Sequence, residues 1–139
     1  TAVAPPPEPP PFAISTVQLC RSIQGFGSFE TTTPQSLRAG RPVLVYCELA
    51  GLRYDQRGDE YVAHIATRVE LIAADGSKVW EVEGDAEDPC RRLRRDSFVG
   101  TQVNLPESIP PGDYTIRLTQ TDSLAGRSAT AEIAVTIGP

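Results

Sequence analysis

Apolar and polar residues alternate along much of this chain, most regularly in its C-terminal part. Tyr114, Ile116 and Leu118 alternate with polar neighbours, and a second alternating run follows residues 122–126 and reaches Ile137. Successive side chains of a β-strand point to opposite faces, so a period of two marks one apolar and one polar face. The two runs predict a β-hairpin in an antiparallel sheet with one buried face.

Shorter runs of the same kind divide the preceding residues. Turn-forming residues separate them, and Asp75-Gly76, between two of these runs, is the strongest hairpin signal in the chain. The sequence predicts further strands at residues 13–20, 25–30, 43–49, 61–73, 78–83 and 98–105. Seven or eight short strands without a convincing helix predict an all-β fold, an antiparallel Greek-key β-sandwich.

Residues 1–12 read TAVAPPPEPPPF and lack this alternation. Such a proline-rich segment favours polyproline II and acts as a semi-rigid spacer. We therefore predict a linker at residues 1–12 and a single β-sandwich domain at residues 13–139. A ligand for SH3-type domains is the alternative for the prolines, but no basic residue stands beside them.

Composition narrows the range of partners. The formal net charge of −5 argues against nucleic acid and anionic membranes as bulk partners. No apolar run approaches the length that spans a bilayer, so we expect no membrane insertion of this segment. Aromatic residues make up 6% of the chain, which disfavours a surface that stacks bases or sugars.

The three cysteines occupy different sequence contexts. No pair has Cys-x-x-Cys spacing, and the single His64 shares no short motif with them, so we expect no zinc site. Cys47 is in phase with the apolar residues of its predicted strand and should be a buried thiol. Cys20 ends a predicted strand and Cys90 lies in a predicted polar loop. We expect a Cys20–Cys90 disulfide, or else three reduced thiols in a cytosolic protein.

Residues 105–114, LPESIPPGDY, resemble the corner that leads into strand F of immunoglobulin-like and fibronectin-like domains. The resemblance implies an immunoglobulin-like β-sandwich with a tyrosine-corner hydrogen bond from Tyr114. Residues 122–127, DSLAGR, resemble the turn between strands F and G of many bacterial envelope modules of this class. The predicted strand F has no cysteine opposite Cys47, so the inter-sheet disulfide of antibody domains is excluded.

Two segments carry a narrower resemblance. Cys20 followed by Gly25-Phe26-Gly27, and Cys90 followed by Arg94-Arg95-Asp96, are similar to uncharacterised envelope proteins of planctomycete-type bacteria. The resemblance implies an extracytoplasmic protein, in the periplasm, the cell envelope or the medium, with an unidentified protein partner in the envelope. It implies no known activity.

The predicted loop at residues 84–96 has the densest charge in the chain. Its basic residues are Arg91, Arg92, Arg94 and Arg95. Guanidinium groups could clamp a phosphate, a sulfate or a carboxylate-bearing glycan there. An acidic run at residues 81–88 precedes the arginines, so the alternative is a local ion-pair network.

The same predicted loop offers oxygen ligands for calcium. Asp85, Glu87 and Asp88 could supply three carboxylates, the type of ligand that calcium prefers. Their spacing matches no EF-hand pattern, and the neighbouring arginines would compete for them. We therefore expect no metal and no other cofactor.

A second candidate surface is the polar segment at residues 51–60. It contains Arg53, Tyr54 and Arg57, residue types that protein interfaces favour. Loops at the end of a β-sandwich are common binding sites. The alternative is a solvated connector without a partner.

No residue pattern indicates catalysis. His64 stands in a predicted strand without a nucleophile motif such as Gly-x-Ser-x-Gly, so we predict a surface or edge residue and no enzyme. Trp80 is predicted to be a core or half-buried residue. The sequence thus predicts a non-catalytic structural or protein-interaction module. The alternative is a small-ligand module that binds calcium or an anionic glycan through residues 84–96.

Overall fold

A computed structural model describes residues 11–92 and 97–139, which form ten β-strands and a 3-10 turn at Pro34–Ser36. The strands are β1 (Ala13–Gly25), β2 (Ser28–Thr31), β3 (Leu37–Arg38), β4 (Pro42–Ala50), β5 (Asp55–Arg57), β6 (Glu60–Ala73), β7 (Lys78–Cys90), β8 (Phe98–Asn104), β9 (Gly112–Asp122) and β10 (Arg127–Gly138). This architecture confirms the prediction that the fold is all-β.

The strands form two mostly antiparallel sheets. Sheet 1 has the order β2-β1-β4-β8. In sheet 2, β10, β9, β6 and β7 lie side by side, and the short β3 pairs with β10 in parallel. Val62 of β6 pairs with both Asp55 of β5 and Pro89 of β7, so β5 and β7 lie on opposite sides of β6. The strand β7 is therefore an edge of sheet 2.

The predicted boundaries of two segments are wrong. The structure continues β7 to Cys90 in unbroken register with β6, where the sequence predicts a loop from residue 84. Both faces of this strand are largely exposed. Polar and acidic residues can therefore occupy both faces, and the strand lacks the apolar alternation that marks a half-buried strand. Residues 51–60 likewise contain the short strand β5.

The core lies between the two sheets. Its most deeply buried apolar side chains include Val45, Cys47, Val69, Leu71, Val103, Ile116, Leu118 and Ile137. Cys47 is fully buried, as its phase in the strand predicts, and burial raises the pKa of its thiol. Trp80 is half-buried against this core, also as predicted. Phe12 is buried with it, so core packing begins one residue before the predicted domain boundary.

A smaller aromatic cluster covers the outer face of sheet 1. Tyr46 contacts Phe29 of the β1–β2 hairpin and Phe98 of β8, with ring centroids 4.3 and 5.7 Å apart. The Tyr46 hydroxyl donates to Glu48 Oε2 at 2.6 Å and accepts from the backbone N–H of Gly27 at 2.8 Å. Burial and the Glu48 carboxylate raise the pKa of Tyr46, which keeps this hydroxyl protonated.

The predicted Cys20–Cys90 disulfide is absent, and all three cysteines are free thiols. Cys20 pairs with Leu44 in sheet 1, whereas Cys90 pairs with Tyr61 in sheet 2. The two lie toward opposite ends of the sandwich, here named after the ends of β9: Cys20 toward the Gly112 end and Cys90 toward the Asp122 end. A disulfide requires Cα atoms within about 7 Å, which this arrangement does not provide.

Candidate functional site

The two candidate surfaces meet at the Asp122 end of the sandwich. The Tyr54 hydroxyl lies 2.9 Å from Ser97 Oγ and donates to Asp88 Oδ2 at 3.3 Å. Partial burial raises the pKa of Tyr54, so the hydroxyl remains a donor. The segment at residues 51–60 is thus tied to the last residues of β7 and is not an independent connector.

Asp122, which the sequence placed in a turn, organises this end of the molecule. It is fully buried, and its Oδ2 accepts the backbone N–H of Arg53 at 2.8 Å. Its Oδ1 accepts the backbone N–H of Ala125 at 3.3 Å in the turn between β9 and β10. An aspartate at the start of a turn typically accepts such bonds, but nothing local indicated the partner 69 residues away.

Arg57, His64 and Glu87 form a polar row across three strands. Arg57 Nη2 lies 3.2 Å from His64 Nε2, and His64 Nδ1 lies 3.5 Å from Glu87 Oε1. A guanidinium only donates, so the imidazole Nε2 accepts and Nδ1 carries the proton toward Glu87. The Nε2 lone pair is thus directed at Arg57, and Ser123 lines the same cleft of about 310 Å³.

The predicted arginine cluster is only partly described. Arg91 and Arg92 are exposed in a bend directly after β7, while Arg94 and Arg95 lie outside the described residues. Carboxylates of β7 form ion pairs with other groups of sheet 2: Glu81 with Lys78, Glu83 with Arg68, and Glu87 with His64. These three ion pairs do not involve the arginine cluster.

The three carboxylates proposed as calcium ligands do not converge. Asp85 and Glu87 point to the outer face of sheet 2, and Asp88 points to the opposite face toward Tyr54, because side chains alternate along β7. Within residues 11–92 and 97–139, no group of three or more His, Cys, Asp or Glu residues could hold a metal ion. The segment considered as the alternative calcium site is thus a strand up to Cys90, and its geometry separates the three carboxylates.

The inner face of β7 extends beyond the cover of sheet 1. Val82 is 39% exposed, whereas its partner on β6, Val69, is 1% exposed. Gly84 and Ala86, which follow on the same face, are exposed as well. Directly paired residues share a face, so the change in burial between β6 and β7 shows that the inner face of β7 from Val82 to Ala86 is left largely uncovered by the described chain, whereas Trp80 and Asp88 on the same face are partly buried.

Comparison with known proteins provides no family. A scan against protein-family models gives no match, and a search of curated proteins also gives none. None of the described residues forms a helix that is long and apolar enough to cross a membrane.

Proposed function

We propose that this chain is a non-catalytic protein-interaction module of an extracytoplasmic protein, with an immunoglobulin-like Greek-key topology. The observation that carries the proposal is the exposed edge strand β7, whose free inner face continues the core of the sandwich. The non-catalytic assignment rests on the sequence, in which His64 has no nucleophile motif beside it. The envelope location rests on the sequence resemblance alone.

The strand order supports the immunoglobulin-like assignment. Strands β1, β4 and β8 would correspond to A, B and E, and strands β10, β9, β6 and β7 to G, F, C and C′. The Tyr114 hydroxyl donates to the Pro110 carbonyl at 2.7 Å, the hydrogen bond that the tyrosine-corner resemblance implies.

The chemistry of β7 specifies its partner. Its outer-face side chains are Glu81, Glu83, Asp85 and Glu87, and its exposed inner-face residues are Val82, Gly84 and Ala86. In the described residues no strand pairs with the free edge of β7. An extended segment that alternates Lys or Arg with apolar residues would add to this edge and complement both faces. Pairing of β7 with a second copy of itself would bring like charges together.

Peptide binding tests this proposal. A short capped peptide that alternates lysine and valine should bind at low ionic strength and protect the amides of β7 from hydrogen exchange. Raising the salt concentration should weaken binding, because the charges are exposed. A peptide of the same length that alternates glutamate and valine should not bind.

A matched pair of variants locates the interaction. Val82→Lys places a charge on the inner face of β7 and should abolish binding, whereas Leu124→Lys alters an exposed apolar residue of the β9–β10 turn and should leave it unchanged. Both positions are exposed, so both variants should fold. Equal binding of the acidic peptide, or binding by Val82→Lys at the strength of the unsubstituted chain, would overturn the proposal.

A further inference from the structure

A cleft at the Gly112 end lies beside β3, at the edge of sheet 2 opposite β7. It has a volume of about 380 Å³, within the range of small-molecule sites. The buried side chains of Cys20, Leu37 and Val43 contribute to its apolar wall, and Thr32 and Gln102 contribute polar groups. The cleft therefore combines an apolar wall with hydrogen-bonding groups.

Every charged side chain among the described lining residues is an arginine. Arg21 comes from β1, Arg38 from β3 and Arg41 from the turn before β4. This concentration is unusual in a chain with 13 basic and 18 acidic residues. Arg21 is distant in sequence from Arg38 and Arg41, which stand on either side of a turn. No run of basic residues in the sequence therefore indicates this site.

The positive charges of Arg21 and Arg41 are weakly compensated. Arg21 Nη2 lies 3.5 Å from Glu30 Oε2, but both side chains are more than 60% exposed, and such pairs contribute little. Arg38 Nη1 donates to the main-chain oxygen of Pro139, the last residue of the sequence, at 2.6 Å. Glu107 approaches the neighbouring Gly40, outside the lining. The guanidinium of Arg41 forms no ion pair with any of the described residues, so positive charge remains at the mouth of the cleft.

From these features we infer that the cleft binds a small organic anion, a carboxylate or a phosphate monoester joined to a short apolar group. Guanidinium groups match the planar carboxylate and the phosphate through paired N–H donors. The wall of Cys20, Leu37 and Val43 removes the apolar group from water. The site is independent of β7 and does not depend on the function proposed for that strand.

Calorimetric titration with hexanoate, hexyl phosphate and hexylamine tests the inference. The two anions should bind with dissociation constants below about 1 mM, and the stronger of them identifies the preferred head group. Hexylamine has the same apolar body with a positive charge and should not bind. Inorganic phosphate should bind at least tenfold more weakly than hexyl phosphate, because it lacks the apolar group.

Variants that replace one arginine by a neutral residue distinguish anion binding in this cleft from attraction to surface charge in general. Arg38→Gln and Arg41→Gln change exposed side chains and should each weaken anion binding about tenfold, which corresponds to about 1.4 kcal/mol. Arg127→Gln, at an exposed arginine of the Asp122 end, is the control and should bind like the unsubstituted chain. Equal binding of hexylamine, unchanged binding by both cleft variants, or an equal loss in the control would overturn the inference.

Discussion

The hairpin formed by β9 and β10 and the hairpin formed by β6 and β7 both belong to sheet 2, but their second strands have different surroundings. The inward residues Val135 and Ile137 of β10 are 3% and 1% exposed, whereas Val82 of β7 is 39% exposed. The difference arises because sheet 1 covers the inward residues at the end of β10 and leaves the middle of β7 uncovered, although Trp80 of β7 still packs against the core. One hairpin therefore supplies core, and the other presents a face and an edge to solvent.

Shortening an inward-facing side chain should give the largest difference between the two hairpins in the loss of unfolding free energy. Leu118→Ala in β9 should lower the free energy of unfolding by about 3 kcal/mol, because it leaves a cavity in the core. Val82→Ala in β7 should lower it by less than about 0.5 kcal/mol, because the side chain is already partly in water. Urea denaturation of both variants measures the difference. Similar losses would mean that the inner face of β7 is covered in solution.

Replacing an acidic residue in each hairpin should give a smaller difference in the loss of unfolding free energy. Asp122→Ala at the end of β9 leaves the backbone N–H groups of Arg53 and Ala125 without their acceptor and should cost about 2 kcal/mol. Asp85→Ala on the exposed face of β7 should be nearly neutral. Asp122→Asn, which keeps one side-chain oxygen acceptor, should lose less than Asp122→Ala. An equal loss in the asparagine variant would show that charge, and not hydrogen bonding, is the main contribution.

The ion pair between Arg68 and Glu83 joins β6 to β7 on the exposed face of sheet 2. Its Nε–Oε1 distance is 3.1 Å, with side chains 50% and 60% exposed. A double-mutant cycle should give a coupling of about 0.5 kcal/mol, which decreases in high salt. A coupling above about 1.5 kcal/mol would indicate that a partner or a second copy shields the pair.

The turn between β6 and β7 should give the smallest effect, visible in the pH dependence of stability. Asp75 Oδ1 accepts from the backbone N–H and the hydroxyl of Ser77, and these bonds lower the pKa of Asp75. A lowered folded pKa gives stability that is present above the unfolded pKa and is lost as the pH falls through the folded value. The stability of Asp75→Asn should therefore depend less on pH below about pH 4 in acid titrations. An unchanged pH profile would exclude this contribution.

Parts of the fold that depend on local patterns were predictable. The phase of Cys47 predicted its burial, and Asp75-Gly76 predicted the hairpin that joins β6 to β7. The extension of β7 to Cys90 was not predictable from alternation, since a strand exposed on both faces has no apolar face to mark it. The cysteine pairing also failed, because positions at element edges do not show which sheet an element joins.

In the candidate sites, too, the local residue types were predictable from the sequence, whereas the contacts between distant residues were not. Residues 51–60 were recognised from their tyrosine and arginine content, but their attachment to Asp122 and Asp88 depends on contacts distant in sequence. The cleft with Arg21, Arg38 and Arg41 had no signal at all, since isolated arginines are ordinary surface residues until a fold brings them together.

By itself, the sequence determined the all-β class, the inward face of the regular strands and the closing hairpin, because a period of two follows from the geometry of a single extended chain. Only the tertiary structure decided which inward faces are covered, which strand remains an edge and which charges share a cleft. Those properties depend on how two sheets are offset and on pairings between residues far apart in the chain, and local alternation carries no information about either.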